Sequence, residues 1–143
     1  MNSFVIDASV AAKWCLHESG ESLISEAFRL LDRYGREEVR LIVPDFFWAE
    51  IGNVLWKAVR VKRCSRVAAE TSMAEMKQRN FPTVPSELLI EEALGIAVTF
   101  DRTVYDSIYV ALAVHSHGQL VTADERLANA LASRFPVKWL GAI

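Results

Sequence analysis

The segment at residues 3–14 most constrains the fold, because an apolar, β-rich run meets one carboxylate and then the start of a helix. Phe4-Val5-Ile6 contains no polar residue, which is typical of a strand buried on both faces, and residues 8–16 are predicted to be helical. Asp7 lies at the junction. In open α/β sheets ligands bind at the carboxyl ends of the strands, so Asp7 is a candidate functional residue. The alternative is that Asp7 only caps the following helix.

Short apolar strands alternate with helical segments along almost the whole chain. Helices are predicted at residues 8–16, 21–34, 46–61, 65–79, 85–98, 102–115 and 124–133, and further strands at 40–43, 83–84, 120–122 and 137–139. Asp45 is expected to cap the helix at 46–61, and Asp101 the helix at 102–115. Connections long enough to be helical favour a parallel sheet with helices on both of its faces, which is an α/β fold.

Length and composition set the class of protein. A chain of 143 residues with 52% hydrophobic residues is expected to form one domain, residues 1–143. A net charge of −2 excludes a protein that grips nucleic acid with its whole surface. Cys15 and Cys64 have neither zinc-site nor disulfide spacing. We see no secretory leader and no membrane span, so a cytoplasmic location is expected.

Four acidic residues stand at matched positions. Asp7 and Asp124 each follow a predicted strand, whereas Glu50 and Asp106 lie on the apolar sides of two predicted helices. A buried unpaired carboxylate costs several kcal/mol or more, so such residues need a partner or a cation.

Gathered carboxylates favour a hard divalent cation, because Mg²⁺ and Mn²⁺ prefer carboxylate and water oxygens. Such an ion lowers the pKa of a bound water and stabilises charge on a phosphoryl oxygen, as in metal-dependent phosphodiesterases. In the alternative, Asp7 and Asp124 are caps, Glu50 pairs with a basic residue such as Lys57, and Asp106 only complements the helix dipole.

These acids belong to four motifs that together resemble the PIN-domain toxins of the VapC type. The motifs are VIDASVAAKW at 5–14, PDFFWAEIGNVLWK at 44–57, TVYDSIYVALA at 103–113 and LVTADERL at 120–127. The resemblance implies a three-layer α/β/α sandwich around a parallel sheet, RNA cleavage with Mg²⁺ or Mn²⁺, a homodimer, and inhibition by a small VapB-like antitoxin. By the same resemblance the acidic quartet is Asp7, Glu50, Asp106 and Asp124, supported by Ser9, Asn53 and Thr122.

Two other functions compete with the ribonuclease. An aspartyl-phosphate enzyme of the haloacid dehalogenase type needs a second acid two residues after the nucleophile, where this chain has Ser9. A non-catalytic PIN-like module that binds RNA or a protein partner would be favoured if the acids were missing, and all four are present. His115 and His117 are interpreted as a helix end. The basic residues between 57 and 66 are interpreted as a solvated turn, with RNA contact as the alternative.

Overall fold

The computed structural model, which describes residues 1–18 and 20–143, contains a central sheet of five parallel strands. The strands are β1 (Asn2–Ile6), β2 (Val39–Pro44), β3 (Thr83–Val84), β4 (Gln119–Thr122) and β5 (Val137–Trp139). Their order is β3-β2-β1-β4-β5, so β1 lies at the centre between β2 and β4. The register pairs Phe4 with Leu41 on one side and with Gln119 on the other. The predicted parallel sheet is confirmed.

Helices connect successive strands. In the described part of the chain they are α1 (Ala8–Cys15), α2 (Ile24–Gly35), α3 (Phe47–Arg60), α4 (Arg66–Gln78), α5 (Ile90–Phe100), α6 (Val104–His115) and α7 (Glu125–Leu131). Two short 3₁₀ helices span Ser86–Leu88 and Leu140–Ala142. None of the helices among residues 1–18 and 20–143 has the length and apolarity needed to cross a membrane.

Both faces of the sheet are buried, and alternate strand residues pack into two hydrophobic cores, one on each face. Phe4 and Ile6 pack with α1, α2, α3 and α4, whereas Val5 packs with α5, α6 and α7. In β4 the same alternation sends Val121 to the first core and Leu120 to the second. Helices therefore cover both faces, and the fold is an α/β/α sandwich.

Two predicted helix starts are wrong. Phe46 occupies the N-cap position of α3 and Asp45 lies outside the helix, so no side chain of the described residues caps α3. Asp101 ends α5 in the left-handed conformation, with φ of 54°, and does not begin α6. The cap of α6 is Thr103, whose hydroxyl accepts a hydrogen bond from the Asp106 backbone N–H at 3.1 Å.

The predicted helix at 85–98 also differs from the structure. It divides into the 3₁₀ turn at Ser86–Leu88 and α5, which continues to Phe100. The divided segment still makes one connection from β3 towards α6, so the topology is the expected one.

The strand order reverses beside β1. From β1 the chain adds β2 and then β3 on one side, and β4 returns to the opposite side of β1. Such a switch point opens a crevice at the carboxyl ends of the two strands. The ends of β1 and β4 are where Asp7 and Asp124 follow their strands.

Candidate active site at the β1 and β4 strand ends

Asp7 is a buried carboxylate at the end of β1. The residue is only 8% exposed. Its Oδ1 accepts hydrogen bonds from the backbone N–H groups of Ser9 at 3.1 Å and Val10 at 3.4 Å. The Ser9 hydroxyl donates to the same oxygen. Burial raises the pKa of Asp7 from 3.8 to about 6, although the Ser9 and Thr122 side chains and the Val10 N–H oppose that shift. Asp7 is therefore costly to ionise in the metal-free fold.

Asp124 occupies the equivalent position after β4. Its Oδ1 accepts from the backbone N–H groups of Arg126 at 3.1 Å and Leu127 at 3.2 Å, so it caps α7 as Asp7 caps α1. In both residues the capping bonds go to Oδ1, and the second carboxylate oxygen takes no part in the cap. A carboxylate has lone pairs for about four hydrogen bonds, so capping and ligand binding are compatible roles.

Ser9 and Thr122 join the two strand ends. The Ser9 hydroxyl accepts from the Ala123 backbone N–H at 3.0 Å and lies 3.4 Å from the Thr122 hydroxyl. Thr122, which is fully buried, accepts from the Asp124 backbone N–H at 3.1 Å. The two hydroxyls thus hold Asp7 and the Asp124 backbone in a fixed relation, which is the arrangement expected of supporting polar residues.

Glu50 reaches the site from α3 and is held by Tyr109 of α6. The Tyr109 hydroxyl donates to Glu50 Oε1 at 2.6 Å, and Tyr109 is only 3% exposed. Burial raises the pKa of Glu50, the bond from Tyr109 lowers it, and the charge of Asp106 raises it further. Sequence analysis did not identify Tyr109 as a partner of Glu50; its position on the same helical face as Asp106 was the available signal.

Asp106 lies in the first turn of α6 and is electrostatically linked to the other three acids. Burial raises its pKa, as does the charge of Asp124, whereas the Arg102 guanidinium lowers it. The charge of Asp106 in turn raises the pKa of both Asp7 and Glu50. Asp106 therefore interacts electrostatically with each of the other three predicted acids.

Arg102 is a basic neighbour that the sequence interpretation missed. Its Nε is buried and has no hydrogen-bond partner within residues 1–18 and 20–143, and its charge acts on Asp106. A single arginine does not neutralise four carboxylates, so the site stays acidic.

The described acids do not make up a complete set of protein ligands for a metal ion. Within residues 1–18 and 20–143, no three Asp, Glu, His or Cys side chains converge closely enough to form a complete metal-ligand group. Mg²⁺ is usually bound through one or two carboxylates and keeps several waters, with substrate phosphates completing its shell. A divalent ion at these acids would therefore keep several of its waters.

Comparison with known proteins identifies the family. The family model described as the PIN domain matches residues 4–131, which includes all four acids and both strand ends. The chain belongs to the PIN-domain family. Among curated proteins, Ribonuclease VapC3 of Pyrobaculum aerophilum is 30% identical to this PIN domain over 129 residues, covering 87% of the chain and 92% of the relative.

Solved structures share the PIN-domain architecture. PAE2754 from Pyrobaculum aerophilum superposes with a TM-score of 0.72 at 23% identity, covering 99% of this chain and 85% of that one. A toxin–antitoxin complex from Klebsiella pneumoniae gives a TM-score of 0.56 at 18% identity, covering 94% of each chain. At these identities the likeness concerns the fold.

The remaining candidates lie outside the acidic group or at its edge. Asn53 is exposed on α3, one turn after Glu50, and lines the same cavity as Glu50. His115 ends α6, and its Nε2 lies 2.5 Å from Glu92 Oε2. His117 follows in the left-handed region with φ of 52°. The two histidines therefore belong to the end of the helix, as predicted.

Proposed function

We propose that this PIN domain is a metal-dependent endoribonuclease and the toxin of a toxin–antitoxin pair. The observation that carries the proposal is the buried Asp7 beside the switch point of the sheet, joined through Ser9 and Thr122 to the backbone of Ala123 and Asp124. Ribonuclease VapC3, the relative named above, supports RNA as the substrate. The four predicted acids would hold Mg²⁺ or Mn²⁺.

When bound, the divalent ion would supply a water of lowered pKa and stabilise charge on the phosphoryl oxygens of RNA. The residues of the chain set the geometry. Ser9 and Thr122 hold the two strand-end acids, and the Tyr109 hydroxyl fixes the orientation of Glu50. Arg102, whose Nε is buried and whose charge acts on Asp106, adds positive charge at the edge of a site that a phosphate must approach.

The non-catalytic module remains the second hypothesis. It gives no reason for the chain to keep Asp7 buried at a raised pKa, together with two further acids of raised pKa. Burial of charge of this kind is costly and clusters at functional sites. The enzyme therefore accounts for more of the structure.

The partners and setting follow from the same proposal. We expect a homodimer, a small VapB-like antitoxin that blocks the site, and action in the cytoplasm. The family model ends at residue 131, and we propose that residues 1–143 act together as one PIN domain, because Val137 and Leu140 belong to the two cores.

The decisive experiment measures cleavage of single-stranded RNA by the purified protein. Cleavage is expected with Mg²⁺ or Mn²⁺ and not in EDTA. Asp106→Asn keeps the size of the side chain and removes the central charge, so the rate should fall by on the order of 100-fold or more with the melting temperature preserved.

Asp32→Asn is the matched control, because Asp32 is an exposed acid of α2 that pairs with Arg36 at 3.2 Å, away from the site. Its rate should equal that of the wild type. Equal cleavage in EDTA would exclude the metal mechanism, and an active Asp106→Asn protein would place the site elsewhere.

A further inference from the structure

A cavity of about 490 Å³ opens beside the acidic residues, and we call it the Tyr105 pocket. Its lining residues come from three elements and are Ala8, Phe46, Ala49, Glu50, Asn53, Val54 and Tyr105. Glu50 belongs to both the pocket and the acidic group, Ala8 follows Asp7, and Tyr105 precedes Asp106. A molecule bound at the acids is therefore within reach of the pocket.

Tyr105 provides an exposed aromatic surface in this pocket. Its side chain belongs to a residue 62% exposed, and its ring contacts Phe46 with a centroid distance of 5.4 Å and an interplanar angle of 77°. Phe46 is itself braced by Tyr109, with a centroid distance of 5.2 Å. A ring has two faces and this T-shaped contact uses at most one, so a face of Tyr105 remains open to a ligand. Exposed aromatic faces of this kind stack unpaired bases.

The charge of the lining favours a neutral ligand. Among the seven lining residues Glu50 is the ionisable acid, Asn53 supplies an amide, and neither lysine nor arginine is present. The pocket therefore offers a phosphate no basic side chain, whereas a nucleobase is neutral and needs none. The Asn53 amide offers two donors and an acceptor, which suit the edge of a base. The volume lies within the range of about 300–1,000 Å³ that is usual for small-molecule sites.

We propose that the Tyr105 pocket binds one unpaired nucleobase of the RNA substrate next to the cleaved phosphodiester. The base stacks on Tyr105, and Asn53 forms hydrogen bonds with its edge. This inference rests on the proposed ribonuclease function and adds to it the residues that select the nucleotide at the cut. It gives a role in RNA binding to Tyr105, which is not one of the four acidic residues.

Kinetics with single-stranded RNA oligonucleotides test the stacking. Tyr105→Ala should raise KM by roughly 5- to 30-fold, because removing an aromatic platform weakens base binding. Tyr105→Phe keeps the ring and should restore KM. Phe28→Ala is the control and should leave KM unchanged, since Phe28 is an exposed aromatic residue of α2, at 37%, whose ring contacts His17 and does not line the pocket. Unchanged KM in Tyr105→Ala would overturn the proposal and would indicate another occupant, such as an apolar side chain of a protein partner.

An abasic scan locates the base. Oligonucleotides that lack one base at a time should weaken binding to the wild-type protein at one position near the cut. In Tyr105→Ala that penalty should disappear, because the same contact is already lost. Asn53→Ala should reduce discrimination among the four bases at that position only. Full penalties in both variants would refute the subsite.

Binding measured without cleavage separates the two proposals. Fluorescence anisotropy of labelled RNA on the Asp106→Asn protein, with and without Tyr105→Ala, reports the pocket independently of turnover. Tyr105-dependent binding, together with a wild-type protein that does not cleave RNA in Mg²⁺ or Mn²⁺, would exclude the enzyme and support the pocket. Metal-dependent cleavage by the wild type, with no effect of Tyr105→Ala on RNA binding, would support the enzyme and exclude the pocket.

Discussion

At the scale of single residues, Asp7 combines a structural role with an electrostatic cost. It caps α1, yet burial raises its pKa from 3.8 to about 6. A group whose pKa is higher in the folded state than in the unfolded state stabilises the fold at pH values below its unfolded-state pKa. That stabilisation is lost as the pH rises through its folded-state pKa. For Asp7 this window runs from pH 3.8 to about 6, and the shift corresponds to about 3 kcal/mol. Desolvation is the largest cause, and repulsion by Asp106 is the smallest of those identified.

Asp7→Asn should therefore stabilise the metal-free protein at neutral pH. Asparagine also caps helices, so the hydrogen bonds to Oδ1 are retained while the desolvated charge is removed. In EDTA at pH 7 the melting temperature should rise by about 3–10 °C, and the difference from wild type should vanish near pH 4.

The same variant should respond less to Mg²⁺. At tenfold its dissociation constant the ion adds about 1.4 kcal/mol, or about 3–5 °C, to the wild type. Melting curves in EDTA and in excess Mg²⁺ measure both effects. A destabilised mutant with the full metal response would show that Asp7 is only a cap.

Tyr109→Phe tests the orientation of Glu50. In the wild type the 2.6 Å hydrogen bond from Tyr109 lowers the pKa of Glu50. The substitution removes this bond and leaves the ring in the core. The cleavage rate should fall by about 10-fold, and the acid limb of the pH–rate profile should move to higher pH because the Glu50 pKa rises. A slower enzyme with an unmoved pH profile would mean that Tyr109 acts through packing alone.

At the scale of elements, α1 is tied to its neighbours by buried polar contacts. The Trp14 indole donates to the Ala27 carbonyl of α2 at 2.8 Å. Lys13 is only 9% exposed and its Nζ lies 3.1 Å from Glu21, which Arg63 of the α3–α4 turn also contacts at 2.8 Å. Burial raises the pKa of Glu21, but hydrogen bonds from Arg63 and Lys13 outweigh it, so the pKa is lowered. Glu21 thus links α1, which follows Asp7, to the turn after the helix of Glu50.

Glu21→Gln should destabilise the protein because it leaves the Lys13 charge buried without a counter-charge. Breaking a buried ion pair costs about 3–5 kcal/mol of unfolding free energy. The Lys13–Glu21 pair is partly exposed, so the expected loss is about 1–3 kcal/mol. Urea unfolding of the variant and of Glu38→Gln measures the difference. Glu38 and Arg33 form a more exposed pair at 3.9 Å, for which a change below about 0.5 kcal/mol is expected. Equal losses in the two variants would show that the Glu21 link is an ordinary surface contact.

At the scale of the whole molecule, large apolar side chains remain exposed on two sides. On α5 and the turn before it these are Leu88 at 72%, Leu94 at 55% and Val98 at 77%, and on α3 Trp56 at 56%. A groove of about 460 Å³ between α3 and α4 includes Trp56 and Met73. Contiguous exposed apolar surface is typical of protein interfaces, which fits the proposed homodimer and antitoxin.

Expression of the chain alone should arrest bacterial growth, and co-expression of the small antitoxin encoded beside it should restore growth. The physical reason is that a protein partner covering the apolar surface or the acidic site blocks access of RNA. Growth curves with wild type and Asp106→Asn measure this, since the variant retains the surface and lacks the central charge. Normal growth with abundant, active wild-type enzyme would contradict the toxin role.

Local sequence patterns determined the elements and the two strand-end acids of this protein. Strand periodicity and apolar runs are local properties, so all five strands were predicted close to their observed positions. Asp7 and Asp124 were singled out because a strand end is visible in sequence, and Glu50 and Asp106 because they lie on the apolar sides of two predicted helices. The starts of α3 and α6 were wrong at Asp45 and Asp101, since capping depends on the backbone angles of single residues.

Only the tertiary structure determined which side chains meet. Tyr109 and Glu50 are 59 positions apart, and their hydrogen bond exists because α3 and α6 approach from different faces at the same edge of the sheet. The Glu21 link and the Tyr105 pocket likewise join separate elements, whereas Arg102 lies only four positions before Asp106. Helical and strand periods specify which face a residue occupies, whereas the distance between two faces depends on the packing of the whole sandwich.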